Sequence, residues 1–84
     1  MEKIIKIGDK DFKIKELKYY QELKLPRDDP DKAARKQFNL AVIEPKMTDE
    51  IFNGLTAAEG LKLSMEINKL SGLTKDFLSE LGIT

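Results

Sequence analysis

Two clusters of carboxylates, Asp28-Asp29-Asp31 and Asp49-Glu50, are the residues whose type and spacing come closest to chemistry. Grouped acids can hold a divalent cation or act as an acid–base pair. Neither cluster has the spacing of a calcium loop, which sets oxygen ligands at fixed positions around a central glycine. Both stand where a helix would begin, and there negative charge offsets the positive end of the helix dipole. Histidine and cysteine are absent, which removes the commonest acid–base residue, thiol nucleophiles and most zinc sites. The five glycines are scattered over turns and helix ends rather than gathered in a phosphate-binding loop. No catalytic, cofactor-binding or metal-binding residue is expected, and the chain reads as a non-enzyme.

The elements that would position any other kind of site are short. With 84 residues, a single domain spanning 1–84 buries about 60–65% of its unfolded surface. Stability on the order of 4–12 kcal/mol follows from per-residue scaling, leaving little reserve for a strained pocket. Basic and acidic residues balance at 15 each, so no global field draws the chain to nucleic acid or an anionic membrane. The balance hides a gradient: residues 1–46 carry 12 basic and 9 acidic side chains, residues 47–84 carry 3 and 6. No stretch approaches the ~20 apolar residues of a membrane span, and the first residues lack a signal-peptide core. Without cysteine for a disulfide framework, a cytoplasmic location is expected.

In KIIKIGDKDFKIK, Ile5, Ile7, Phe12 and Ile14 alternate with lysines around Gly8-Asp9-Lys10. That pattern predicts a hairpin over 3–15 with one apolar and one lysine-rich face. A lone hairpin is marginal in water, so its apolar face must lie on helices. Five helices are expected, at about 16–24, 30–44, 48–53, 57–71 and 75–81. The first places Leu17, Tyr20 and Leu23 on one side and closes before Leu25-Pro26. The second starts with Asp29 as cap and Pro30 in the first turn, clusters Ala34, Phe38, Ala41 and Val42, and ends at Pro45. Thr48 caps the third, and Gly54 suits a left-handed residue closing it. Thr56 and Glu59 have capping-box spacing at the start of the fourth. There Glu59, Lys62, Glu66 and Lys69 form one charged stripe, and the wide remaining apolar arc suits a central helix touched from several sides. Gly60 and Ser64, one turn apart, would admit a close backbone. Gly72 ends that helix and Thr74 caps the last. The fold class is α+β, mostly α: an N-terminal β-hairpin packed on a small bundle of four to five short helices.

Three features could bind a partner. Lys32, Arg35 and Lys36 crowd the first half of the second helix, although a solvated face explains them as well. SGLTKDFLSELGIT resembles the turn and second helix of a helix-turn-helix, but it offers a DNA backbone only Lys75 against Asp76 and Glu80. The third feature is apolar: Leu73, Phe77, Leu78 and Leu81 lie in a terminal helix too short to be stable without docking. Terminal elements are the easiest to exchange with a partner. These four residues and Phe52 are the expected partner-binding residues.

Glu44-Pro45-Lys46, Thr48-Asp49-Glu50 and Leu70-Ser71-Gly72-Leu73, in that order behind a lysine-rich hairpin, resemble the small tail assembly chaperones of long-tailed bacteriophages and prophages. The resemblance runs from about Lys3 to Leu73 and lies in the order and spacing of the pieces. One departure is Leu55-Thr56-Ala57-Ala58, where many relatives carry a proline before the last long helix; the capping box serves the same end. The resemblance implies protein–protein work without catalysis: keeping the helical tape measure protein soluble and recruiting tail tube protein subunits. Self-association is compatible with it, and no nucleic-acid or membrane partner is implied. The alternatives are a small phage or host DNA-binding regulator with a C-terminal helix-turn-helix-like segment, or an orphan structural subunit.

Overall fold

The alternation of the first fifteen residues closes a hairpin of β1 (Glu2–Ile7) and β2 (Lys10–Lys15), paired in register with Ile5 opposite Phe12 and Ile7 opposite Lys10. That register leaves Gly8-Asp9 as a two-residue loop. Gly8 has φ +64°, the left-handed backbone that a glycine-first hairpin turn requires. Residues 1–72 are described by the structure, a computed structural model. Ile5, Ile7, Phe12 and Ile14 are all buried, as the pattern predicts. The same parity carries Lys3 to the inner face, beside the helices, and leaves Ile4 on the outer face, exposed.

The hairpin is joined by a third strand that periodicity did not reveal. The short first helix, α1, covers only Tyr19–Glu22, inside the expected 16–24. Leu17 is buried ahead of it, while Tyr20 and Leu23, expected on its apolar side, are exposed with Tyr19. Next comes α2 (Pro30–Ala41), where the Lys32 amide donates to Asp29 Oδ1 at 3.2 Å. The helix stops three residues short of Glu44. Val42–Glu44 forms β3, antiparallel to β2 with Val42 opposite Ile14 and Glu44 opposite Lys13, across an irregularity between Lys13 and Ile14. Two local forces favour this ending. Val42 and Ile43 are β-branched, and the residue before proline is pushed to extended backbone. The sheet order β1-β2-β3 makes β2 central, and the Glu44–Pro45 peptide bond after it is cis.

Capping defines the remaining helices. In α3 (Asp49–Gly54), Thr48 Oγ1 accepts from the Ile51 amide at 3.2 Å. Gly54 does not take the left-handed conformation expected of it; it stays in the last turn, with extended Leu55 after it. In α4 (Ala57–Leu70) the capping box forms as read, Glu59 N–H to Thr56 Oγ1 at 3.1 Å and Thr56 N–H to Glu59 Oε1 at 2.9 Å. Gly72, at φ +82°, ends it.

The inner sheet face meets Leu63 and Ile67 of α4 and Phe38 and Ala41 of α2 in one core. Each fully buried aliphatic side chain contributes about 1.5–3 kcal/mol. Between α2 and α4 one polar residue, Gln37, is 7% exposed. Its amide donates to Asn68 Oδ1 at 3.0 Å and accepts from the Ser64 hydroxyl at 2.9 Å. Ser64 therefore serves as a hydrogen-bond partner rather than as a gap for another backbone. Among the described residues no other element comes within 4 Å of the Cβ position at Gly60, so none of them makes the close approach expected there. At the far end of α4, Ser71 Oγ accepts from the Leu17 amide and donates to the Ile67 carbonyl, both at 2.8 Å. This ties the helix C-terminus to the segment leaving β2.

Candidate partner-binding surface

Three of the five clustered carboxylates are engaged in structural contacts. Asp29 caps α2, Asp31 pairs with Arg35 Nε at 3.1 Å, and Asp49 accepts from Arg35 Nη1 at 2.8 Å. Among the described residues no group of three or more acidic, histidine or cysteine side chains is arranged to hold a metal ion. Arg35 is thus the hub of a junction between α2 and α3, completed by Nη2 to Asn53 Oδ1 at 2.9 Å. Of the basic patch Lys32, Arg35 and Lys36, it is the member with fixed partners; the two lysines are exposed.

Phe52, the one expected partner-binding residue among those described, lies in the same junction. Its ring centroid is 5.6 Å from that of Phe38, tilted by 52°, and the Arg35 guanidinium sits 4.3 Å above its ring. Such a cation–π contact contributes about 0.5–1 kcal/mol at a partly exposed site. Phe52 is half-buried, so only part of its ring is open to solvent. Leu73, Phe77, Leu78 and Leu81, the helix expected at 75–81 and the helix-turn-helix-like segment beyond Gly72 lie outside the described residues.

Other surfaces gather residues that sequence reasoning did not single out. An open groove of about 470 Å³ beside the hairpin tip is lined by Ile7, Phe12, Asp9 and Lys10 of the hairpin, Glu50 of α3 and Glu59 of α4. Glu59 is already engaged in the capping box. On α1, Tyr19 and Tyr20 are exposed, with Leu23 just beyond its last turn; Lys24 lies 5.4 Å from the Tyr20 ring centroid. On α4, Leu61 is 67% and Met65 56% exposed. At ~100° per residue they sit roughly 160° and 200° around the helix from buried Leu63, the most outward positions available. The width of the apolar arc predicts a central helix touched from several sides, yet this outer pair is exposed. A helical projection centred on Leu63 and Ile67, rather than on the charged stripe, is the signal that finds this outer pair.

The charged stripe is itself divided. Glu66 accepts from Lys3 Nζ at 3.1 Å and lies 3.4 Å from Lys69 Nζ. The hydrogen bond from Lys3 holds the Glu66 carboxyl below its ordinary range, against the opposing effect of burial, with further help from the charges of Lys3 and Lys69. Glu16 is lowered similarly by its hydrogen bond with the Met1 amino group, 2.7 Å away. No helix among the described residues is long and apolar enough to cross a membrane. Comparison of the chain with family models, curated proteins and solved structures gives no match.

Proposed function

We propose that this protein is a phage tail assembly chaperone that binds the tape measure protein and recruits tail tube subunits through protein–protein contacts, without catalysis. The observation that carries the reading is apolar surface left on helices around a core that is otherwise closed. Leu61 and Met65 on α4, with Tyr19, Tyr20 and Leu23 at α1, are exposed while the sheet face and the inner side of α4 are sealed. An assembly chaperone needs such a surface: enough apolar area to shield a helical client, and a separate core that survives its release. Burying a single Leu or Met is worth about 1.5–3 kcal/mol, so a few such contacts give a reversible grip rather than a permanent one. The order of Glu44-Pro45-Lys46, Thr48-Asp49-Glu50 and Leu70-Ser71-Gly72-Leu73 supplies the resemblance that names the client. This role places the protein in the host cytoplasm.

Co-expression of the chain with a tape measure protein of a long-tailed phage is the direct test. The expected result is that the client becomes soluble and co-purifies with this chain, and that tail tube protein joins the pair. A client equally soluble with and without this chain, and never retained by it, would overturn the reading.

A further inference from the structure

The outer side of α4 has a register. With Ala58 at position a of a heptad, Leu61 falls at d, Met65 at the next a and Asn68 at the next d. Lys62 and Lys69 then occupy both e positions, while Ala57 and Ser64 occupy g. Ala57, Ala58, Leu61, Lys62, Met65 and Lys69 are all exposed. The seam is thus a short apolar ridge with lysines along one flank and small side chains along the other. Among the described residues Lys62 forms no ion pair, and Lys69 only the long one with Glu66. Asn68 accepts from Gln37, which anchors the last seam position to the domain.

We propose that this seam docks an amphipathic helix whose apolar stripe is flanked by carboxylates, laid alongside α4 as in a two-stranded coil. The occupant is a helix because the ridge repeats at coiled-coil spacing, and Ala58 leaves room for a partner backbone to approach. It is acidic because e positions face the flanking charges of the partner, and here both carry lysine. A second copy of this chain fits less well. Antiparallel pairing sets e against e, lysine against lysine; parallel pairing sets the lysines against Ala57 and Ser64, with no carboxylate to meet them. The inference goes beyond the assembly role and does not need it, since it specifies a surface and a helix chemistry whichever protein carries that helix.

The probe is a fluorescein-labelled synthetic peptide of three heptads with leucine at a and d and glutamate at e and g. Its twin carries lysine at e and g. Fluorescence anisotropy with the full chain should show the glutamate peptide binding, and the lysine peptide about tenfold weaker or more, a gap that narrows at high salt. Met65→Asp, at an exposed position, should lose the binding while its thermal melt is unchanged. Lys62→Glu with Lys69→Glu should reverse the preference between the peptides. Equal binding of both peptides, or binding of neither, overturns the inference. So does a concentration-dependent dimer in sedimentation that Met65→Asp abolishes, because that assigns the seam to a second copy. Peptide binding without co-purification of the tape measure protein would leave this inference standing and remove the proposed function; the opposite pair of results would do the reverse.

Discussion

The two sides of α4 carry nearly the same side chains and meet opposite fates. Leu63 and Ile67 face the sheet and are fully buried; Leu61 and Met65, two positions away, face water. Hydrophobicity therefore does not decide burial on this helix. What decides it is where the two-layer architecture has a second surface to offer. The sheet supplies one on the inner side, made of Ile5, Ile7, Phe12 and Ile14, and α2 adds a flank. No described element covers the outer pair. An apolar arc too wide for its own domain is the difference between a helix that only closes a core and one that also presents a surface.

The strongest attempt to break this contrast is to truncate both sides. Phe12→Ala or Leu63→Ala should cost about 3–5 and 2–5 kcal/mol in urea melts, since each leaves a cavity in a closed core. Leu61→Ala should stay within about 0.5 kcal/mol of the parent, as for other surface substitutions; similar losses on both sides would dissolve the distinction. A smaller effect is expected at the polar seam between α2 and α4. Gln37→Ala leaves the Ser64 hydroxyl and the Asn68 carbonyl without their partner, and should cost about 1–3 kcal/mol. Ser64→Ala paired with Gln37→Leu should recover part of that loss.

Next in size is the helix start. Thr56→Ala removes the acceptor for the Glu59 amide and should cost about 1 kcal/mol, with no effect on the sheet signal in circular dichroism.

The smallest effect sharpens the comparison through pH. Because the Glu66 carboxyl is held below its ordinary value by Lys3, its contribution is fully present above the unfolded carboxylate value. It is lost as pH falls through the lower, folded value. Lys3 is half exposed, so solvent screening limits the pair to about 0.5 kcal/mol. Lys3→Met should remove that increment at pH 7 and leave stability unchanged once the pH is low enough to protonate the folded carboxyl. An undiminished loss on acidification in the variant would show that another carboxylate is responsible.

Much of this architecture is legible in the residues. The hairpin follows from strict alternation, and the helix starts follow from Asp29, Thr48 and the Thr56–Glu59 pair, because capping depends on chemistry within four residues. β3 was not legible in the same way. Leu40 to Ile43 is a short apolar run that suits the end of a helix or a strand equally, and only the free edge of β2 chooses between them. Gln37 was invisible for a related reason, since a polar residue on a helix reads as solvated until its two partners on α4 are in place. Of the candidate site, Phe52 is named from the sequence as a partner-binding residue, but its tilted contact with Phe38 beneath Arg35 is tertiary. The outer face of α4 required knowing where the sheet ends.

Gly8 and Glu59 carry a consequence for how this chain can change. A side chain at position 8 would strike the Glu59 carboxylate, the group that closes the capping box of α4, and the left-handed backbone at Gly8 resists substitution besides. The tip of the hairpin and the first turn of a helix some fifty residues later in the chain thus share one small volume. Substitutions at the two sites are expected to be epistatic: a shortened residue 59 removes the clash with a larger residue 8 and leaves only its backbone strain.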